Sequence, residues 1–589
     1  MTTSATTYLS EKSFVNAIAS AVFAALFLYH ISPIGLGDLY WHLNTGRWIW
    51  EHGALPISDP FTYTTQIDSQ DSSQGPDTKN YWQLLTLQGF WLAQLLYFGT
   101  YASWGLWGLI TLKAAMFVTL YGLLWRSLLK SRVDPLLGLF VILTLPWLLQ
   151  RYDELRPHVF SFIGVILVYM NMRSALEKLR SGTIHPGALT TLPFIMLVWS
   201  NLHPGYMLGW IIIIVMLIGT IFDRWRGVTI IERRALHSLF TWCTLALIAS
   251  LVNPMADVLF TYFGIVQNQF VFGVDEHLPL YSYAQMHGQP LLFYMVFVLA
   301  LITAGALILR RKHIDSAHIF MLLGFTSVGF YAFRYTIFFI LMALMIGMPH
   351  VSALAEGYIS KIRALLFALI LVAMSYVGYM AFQNNAWRLG PEQTGYVPVH
   401  ATDFVLEQHP PEPLFNAFEY GGYLGWRLSP EYKIFIDPRC LDFDVHNAYQ
   451  TARGGFYQAI FEKYGVNTVV FYLLTPLVNS IPEVTLYLLM DNHWDLVYVD
   501  RLSVVMVKHD KNILPALDKA PILNYLQRVL ERTISATPDD TQALVQYGRV
   551  LLYRGDISGA RQYFIAALNI NPKIRAARFY LQAITSNNK

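Results

Sequence analysis

Long apolar runs separated by short polar segments dominate the first 382 residues of this 589-residue chain. Runs of roughly 15 to 24 apolar residues are long enough to cross a hydrocarbon core about 30 Å thick. An additional apolar piece, 85–98, is not counted as a crossing. The pattern predicts a polytopic α-helical membrane protein with about eleven crossings, near 14–34, 103–125, 134–150, 157–172, 190–203, 205–222, 238–252, 290–309, 316–333, 335–349 and 363–382.

The pattern changes after the last predicted crossing. Short β-branched and aromatic runs alternate with helical pieces over residues 383–510, which predicts a soluble α/β domain. The predicted strands are 413–417, 433–437, 468–471 and 497–507, and the predicted helical pieces are 447–463 and 480–490.

The last segment, 518–589, is predicted to be helical and repeated. Its spacing is typical of a tetratricopeptide repeat, with matches at Gly548, Ala560, Phe564, Ala567 and Pro572. A single repeat cannot bury its own apolar face. We therefore expect this tail to pack on the α/β domain or to bind a protein partner.

Composition supports the membrane assignment. The chain is 55% hydrophobic and 13% charged, with a mean hydropathy of +0.40, whereas about a quarter of the residues of a soluble domain are charged. The net charge of +3 is too small to indicate nucleic acid as a partner. Cys243 and Cys440 are too few for a disulfide framework or a zinc site.

Basic residues occupy alternate short loops between the predicted crossings. The clusters are Arg126, Lys130 and Arg132; Arg173, Lys178 and Arg180; Arg224, Arg226, Arg233 and Arg234; Arg310, Arg311 and Lys312; and Lys361 and Arg363. If 85–98 does not cross, all five clusters lie on one side, which the positive-inside rule identifies as the cytoplasm. This predicts a cytoplasmic N-terminus, a transmembrane domain over 1–382 with its first outer loop at 35–102, and extracytoplasmic C-terminal domains.

Polar residues in the first outer loop are candidates for a site. Asp38 and His42 are four residues apart, which places a carboxylate and an imidazole on one face of a helix, and Asp59 follows in the same loop. Asp38 could equally be a simple helix N-cap. Both interpretations stay open from spacing alone.

Further polar residues fall on the same predicted face of the membrane. Several helices that each contribute such a residue can assemble an active-site cavity. An ionisable residue between two apolar runs, such as Arg334, is expected to face a polar cavity or a partner. Alternatively, the 151–156 segment is a solvated turn with internal ion pairs. The candidates are Arg151, Glu154, Arg156, His158, His203, Glu276 and Arg334.

The predicted α/β domain has its own candidates, Asp437 and Arg439. They follow a predicted strand, and strand ends commonly carry binding residues in α/β sheets. The alternative is a local ion pair that fixes the turn.

Several motifs resemble bacterial multi-spanning proteins of the GT-C glycosyltransferase superfamily. The sequence around Asp38 fits the pattern Asp-x-x-Trp-His-Leu-x-x-Gly, and Asp59 begins Asp-Pro-Phe-Thr-Tyr-Thr. Weaker matches, spread over most of residues 14–510, are Arg156-Pro157, Trp199-Ser200-Asn201-Leu202-His203, Asn253-Pro254, Gly421-Gly422-Tyr423-Leu424 and Ile436-Asp437-Pro438-Arg439.

This resemblance implies an enzyme of the bacterial inner membrane that takes a sugar from a polyprenyl phosphate carrier in the membrane lipid. It implies a cavity on the outer face and a carboxylate in the first outer loop, the position of Asp38, as general base or metal ligand. A divalent cation could be held through Asp38, His42 or Asp59. The tail is similar to that of membrane glycosyltransferases that act on proteins, and the acceptor is expected to be a protein or an envelope glycan.

The chemistry of the candidates agrees with this expectation. Sugar transfer needs a base for the acceptor, a role that suits Asp38, and His42 and Asp59 are the other catalytic candidates. It also needs cations for the departing phosphate, a role that suits Arg151, Arg156 and Arg334. The alternatives are a non-catalytic envelope scaffold, or a transporter or lipid flippase, for which internal repeats would be expected.

Overall fold

The structure, a computed structural model, describes residues 2–35, 37–65, 76–180, 189–228, 232–256, 275–311, 314–392, 395–475 and 480–586. The chain forms two compact units. We call residues 1–59 and 74–393 the membrane unit, and residues 60–73 and 394–589 the second unit.

The membrane unit is built from helices joined by short connections. A π-helical stretch, Ala343–Gly347, joins two of these helices. The helices are α1 Thr2–His30, α2 Leu39–His52, α3 Pro76–Gln88, α4 Trp91–Lys130, α5 Pro135–Leu148, α6 His158–Arg180, α7 Thr191–Leu202, α8 Met207–Trp225, α9 Arg233–Ala249, α10 Leu280–Met286, α11 Pro290–Leu309, α12 Ser316–Tyr331, α13 Thr336–Met342, α14 Met348–Gln383 and α15 Ala386–Leu389.

Seven helical stretches in the described part of the chain are long and apolar enough to cross a membrane: Ser13–His30, Trp91–Lys130, His158–Arg180, Pro204–Trp225, Pro290–Leu309, Phe333–Ile359 and Lys361–Leu389. Three shorter apolar helices are Pro135–Leu148, Thr191–Leu202 and Ser316–Tyr331. The predicted crossing at 238–252 overlaps α9. The prediction of a multi-pass helical membrane protein is therefore confirmed. Lys312 of the predicted basic clusters lies outside the described residues.

The apolar piece 85–98 is divided between α3 and α4. Helix α4 contains one non-helical residue, Gly105, with φ 59° and ψ −154°. Because a positive φ strains any residue with a side chain, glycine suits this break.

Helix α2 lies directly against the first part of α4 because of Gly46. A Cβ atom added to Gly46 would lie only 2.2 Å from the carbonyl oxygen of Gln94. The two backbones can therefore approach closely only while this position has no side chain, which is the general use of small residues between membrane helices.

The second unit contains a four-stranded sheet in the order β1-β2-β4-β3, where β1 is Leu414–Asn416, β2 Thr468–Tyr472, β3 Trp494–Val499 and β4 Ser503–Lys508. Strands β1 and β2 are parallel, and the other two pairs are antiparallel. Its helices are α16 Val399–Gln408, α17 Gly421–Leu428, α18 Phe443–Arg453, α19 Gln458–Tyr464, α20 Glu483–Met490, α21 Ala520–Ala536, α22 Thr541–Tyr553, α23 Ile557–Ile570 and α24 Arg575–Ser586.

Two strand predictions were wrong. The predicted strand 433–437 forms only an isolated bridge, between Ile434 and Thr62. The side chain of Asn416 explains this, because it accepts from the Phe435 N–H at 2.9 Å and donates to the Ile436 carbonyl at 2.8 Å, and so uses backbone groups that a neighbouring strand would need. The predicted strand 497–507 is a hairpin of β3 and β4, closed at Asp500.

The tail consists of helices α21 to α24. Ala560, Phe564 and Ala567 are fully buried in one apolar cluster, and a Cβ atom on Gly548 would lie 2.7 Å from the Phe564 ring. Helix α22 contacts the sheet-containing part, because the Gln546 side chain donates to the Ile481 carbonyl at 2.8 Å. The tetratricopeptide classification itself stays a prediction.

Candidate functional site

A polar cavity of about 370 Å³ lies in the membrane unit. Its walls come from the end of α1, the segment that leads into α2, the middle of α4, the loop between α5 and α6, and the end of α14. Its ionisable lining residues are Asp38, Lys113, Asp153, Glu154 and Arg156. Charged groups from three separate parts of the sequence therefore share one space.

Asp38 stands at the N-cap position of α2, but its side chain makes no capping hydrogen bond. Instead its Oδ2 atom lies 2.7 Å from an Nη2 atom of Arg156. The backbone alone starts the helix, with the Asp38 carbonyl accepting from the His42 N–H at 3.1 Å. The carboxylate is thus held in the cavity by an ion pair, and the simple helix-cap interpretation does not describe it.

Arg156 links three carboxylates. In addition to Asp38, it lies 3.2 Å from Glu276 and 3.7 Å from Glu154. Burial alone would lower the pKa of the Arg156 guanidinium, but the surrounding carboxylates raise it above its ordinary value. Arg156 is therefore a fixed positive charge in the cavity wall.

The two glutamates around Arg156 have opposite electrostatic environments. Desolvation, reinforced by the charges of Asp38, Glu276 and Asp153, raises the pKa of Glu154 to about 7 despite the opposing effect of Arg156. For Glu276, desolvation is outweighed by Arg156 and Arg334, which lower its pKa. The pKa of Glu154 is thus shifted in the opposite direction from that of Glu276, although both carboxyl groups lie beside Arg156.

Arg334 lies beside this cluster on a 3-10 turn, Phe333–Tyr335. Its Nη1 atom lies 2.9 Å from His277 Nε2, and His277 follows Glu276 directly. The Tyr152 hydroxyl donates to the Phe333 carbonyl at 2.6 Å. These contacts join the loop before α6 to the turns that carry Glu276 and Arg334.

A second charged cluster, which is not predicted from the sequence, lies in the same cavity. Lys113 Nζ donates to Ser32 Oγ at 2.6 Å and lies 3.9 Å from Asp153. Asp153 also lies 2.8 Å from the His30 ring, whose other nitrogen is 3.1 Å from the Tyr121 hydroxyl. Burial opposes ionisation of Asp153, but Lys113 and His30 lower its pKa below the ordinary value. A single lysine inside an apolar run was the available signal, since such a residue indicates function by default.

The structure does not bring His42 or Asp59 to the cavity. His42 is only 2% exposed, its ring centroid lies 3.5 Å from that of Trp41, and its Nδ1 atom is 3.4 Å from Gln94 Nε2. Asp59 is also buried, at 3% exposure, and does not line the cavity. Asp38 and His42 are one turn apart, yet their side chains have different surroundings.

Arg151, His158 and His203 also lie apart from the cavity lining. Arg151 is exposed, and the His158 ring packs 5.0 Å from that of Phe162. His203 Nδ1 accepts from the Gly205 N–H at 2.9 Å and lies 2.7 Å from Ser161 Oγ. His203 therefore stabilises the connection between α7 and α8.

Asp437 and Arg439 form a buried ion pair in the second unit. Arg439 Nε lies 2.8 Å from Asp437 Oδ2, an Nη2 atom lies 2.7 Å from the same oxygen, and the Arg439 N–H donates to Oδ1 at 3.0 Å. The guanidinium also lies over the Phe61 ring, 5.2 Å from its centroid. This is the geometry of a local ion pair that fixes a turn.

The described residues do not provide a suitable set of ligands for a divalent cation. No group of three or more His, Cys, Asp or Glu side chains in that part of the chain is arranged to hold a metal ion. Asp38 is paired with a guanidinium, whose positive charge opposes a cation at the same carboxylate. The expectation of a metal through Asp38, His42 or Asp59 therefore has no support in the side-chain geometry.

Comparisons with known proteins give structural neighbours only. No model of a known protein family matches the chain, and no curated protein matches it. The chain is similar to the crystal structure of ArnT from Cupriavidus metallidurans bound to undecaprenyl phosphate, with a TM-score of 0.47 and 13% identity, covering 84% of this chain and 98% of that one. It is also similar to the same protein in the apo state, with a TM-score of 0.48 and 14% identity over the same shares of the two chains.

Proposed function

We propose that this chain is a membrane glycosyltransferase that moves a sugar from a polyprenyl phosphate carrier to a protein or envelope glycan on the outer face of the bacterial inner membrane. The observation that carries the proposal is the Asp38–Arg156 pair, which lies in a polar cavity and joins two motifs of the GT-C resemblance. A carboxylate and a guanidinium are the two kinds of group that this chemistry requires.

Asp38 is the general base in this proposal. Arg156 holds Oδ2, and Oδ1 has no hydrogen bond to the described part of the chain. Oδ1 would take the proton of the acceptor hydroxyl or amide as that atom attacks the anomeric carbon. The bond from this carbon to the carrier phosphate breaks at the same time, so the sugar inverts its configuration and the polyprenyl phosphate leaves with the bonding electrons.

Arg156 and Lys113 are the phosphate-binding groups. Both line the cavity, Arg156 beside the proposed base and Lys113 on the middle of α4. A guanidinium binds two phosphate oxygens at once, whereas an ammonium acts as a compact point charge. Arg334 stabilises the arrangement indirectly. Its charge acts on Glu276, which in turn contacts Arg156. Arg151 has no such position.

The alternative of a non-catalytic scaffold gives no reason for this cavity. A scaffold needs an exposed docking surface, whereas buried ionisable groups inside a membrane protein are costly to keep without a function. Buried Lys113 and its neighbours therefore favour an enzyme.

The test is turnover by the purified full-length protein in liposomes. Polyprenyl phosphate sugars with different labelled head groups would be supplied together with envelope extract as the acceptor source. We expect one donor to release polyprenyl phosphate and label an extract component, and undecaprenyl phosphate to inhibit the reaction. Failure of every donor, together with no binding of undecaprenyl phosphate by correctly folded protein, would overturn the proposal.

A further inference from the structure

The second unit contains a cleft that the proposed reaction does not use. Its volume is about 740 Å³, within the range of about 300 to 1,000 Å³ that is usual for small-molecule sites. The residues that give it chemical character are Tyr396, His400, Arg501, Tyr525 and Arg532, and we call it the arginine cleft.

Two guanidiniums in this cleft have no counter-ion among the described residues. Arg501 lies in the turn between β3 and β4, and Arg532 lies on α21. Both are exposed, and neither has a hydrogen bond or an ion pair within the described part of the chain. Guanidiniums are matched in shape to carboxylate and phosphate groups, so the cleft is suited to an anion.

Among the described residues that line the cleft, Asp500 supplies the only carboxylate, and this carboxylate already accepts hydrogen bonds. Asp500 accepts from the Leu502 and Ser503 N–H groups, both at 2.7 Å, and from the Tyr498 hydroxyl at 2.9 Å. These bonds close the β3–β4 turn and direct both carboxylate oxygens at neutral donors. Within the described residues, Asp500 forms no ion pair with Arg501 or Arg532. The positive charge of the two arginines therefore remains available to a ligand.

Two tyrosine rings add aromatic surface to the positively charged cleft. Tyr396 is 41% exposed and Tyr525 is 39% exposed, and both line the same space. Exposed aromatic faces in a polar cleft are suited to the C–H faces of sugar rings, while the hydroxyls can bond to sugar hydroxyls. We propose that the arginine cleft binds an acidic saccharide, with the arginines on its carboxylate groups and the tyrosines on its rings.

An acidic peptide fits less well. In one recurring mode of peptide binding, the peptide backbone pairs with a free sheet edge. Here the sheet contributes the turn residues Asp500, Arg501 and Leu502 to the cleft, and no edge strand lines it. The peptide backbone would have no ladder of partners, whereas a saccharide needs none.

The test is calorimetric titration of the full-length protein in detergent with trigalacturonate, maltotriose and triglutamate. We expect trigalacturonate to bind, and Arg501→Gln and Arg532→Gln each to weaken its affinity by about tenfold, the scale of a lost charge-assisted pair. Tyr525→Ala should weaken binding, and Tyr525→Phe should retain most of it because the ring remains.

The matched control is Arg561→Gln, an exposed arginine on α23 that does not line the cleft, and it should leave the affinity unchanged. Equal binding of maltotriose would show that the charge is not recognised, and equal binding of triglutamate would show that the sugar is not recognised. Either result, or unchanged affinity in both arginine variants, would overturn the proposal. The titration involves no turnover, so its outcome is independent of the proposed transferase activity.

Discussion

The Asp38 carboxylate and the Arg156 guanidinium meet at 2.7 Å, although 117 positions separate them in the sequence. The pair joins the residue before α2 to the loop before α6. It orients one oxygen of the carboxylate and leaves the other without a bond to the described residues. If Asp38 is the proposed base, this pairing would keep its geometry fixed while it exchanges a proton.

Asp38→Asn should lower sugar transfer by roughly 10²-fold or more, the usual scale for loss of a general base. The amide is similar in size but has neither the negative charge nor the basicity. Initial rates of label transfer in liposomes would measure the change, and a thermal melt would show that the fold is retained. The matched control is Asp540→Asn, because Asp540 is a true cap of α22 whose side chain accepts from two backbone N–H groups. Asn caps as well as Asp, so this control should be silent. Wild-type activity in Asp38→Asn would remove Asp38 from the mechanism.

Lys113→Met should raise the KM for the lipid-linked donor by roughly 10- to 100-fold, because a cation that contacts the phosphate is lost. Lys113→Arg retains the charge and should recover part of the affinity. Lys130→Met, at the exposed end of the same helix, is the control for a lysine that does not line the cavity. A purely structural Lys113 would instead give a loss of melting temperature with an unchanged KM.

Glu154 should make stability depend on pH in a recognisable direction. Its pKa is raised from 4.5 to about 7 in the folded protein, so the folded state binds more protons than the unfolded state between these values. The favourable contribution is therefore complete below pH 4.5 and is lost as the pH rises through 7. We therefore expect the difference in melting temperature between Glu154→Gln and the wild type to be more favourable to the variant at pH 8.5 than at pH 5. Glu407→Gln, at another exposed site, should change the melting temperature by the same amount at both pH values. If Glu154→Gln also changed it by the same amount at both, the raised pKa of Glu154 would be contradicted.

Topology can be tested by labelling introduced cysteines in intact cells. Cys243 and Cys440 are both buried, so a background with both changed to serine is clean. Ile513→Cys, at a site 83% exposed in the second unit, should react with a membrane-impermeant thiol reagent. Trp225→Cys, at a site 79% exposed beside a predicted cytoplasmic cluster, should react only after the membrane is opened. The reverse pattern would place the N-terminus outside and the second unit in the cytoplasm, contrary to the predicted topology.

The membrane helices were predictable because apolar length is a local property of the sequence. The positions of the charged groups in the cavity were only partly predictable. The positions of Asp38, Glu154, Arg156 and Glu276 at helix ends predict a polar site, whereas Lys113 gives a weaker signal because it lies inside an apolar run. His42 was chosen by its spacing from Asp38, but spacing does not reveal that Trp41 and Phe90 surround its ring.

The second unit shows a similar limit. The parallel pairing of β1 with β2 follows from distant contacts, and the isolated bridge at Ile434 depends on a side chain, Asn416, that no propensity describes. The β3–β4 hairpin was read as one strand because its turn, at Asp500 and Arg501, contains no glycine or proline. For Asp437 and Arg439 the sequence leaves a binding site and a local ion pair equally open, and only their burial and pairing in the structure show that they stabilise a turn.

Gly46 gives the site an unexpected dependence on a residue that never meets a substrate. Even a methyl group there would collide with the Gln94 carbonyl oxygen, and relief of that collision would shift α2, whose first residue follows Asp38. In a saturation-mutagenesis map, position 46 would therefore tolerate as few amino acids as position 38, the proposed base. Positions of this chain that tolerate few substitutions would thus include residues that support the Asp38 carboxylate as well as Asp38 itself.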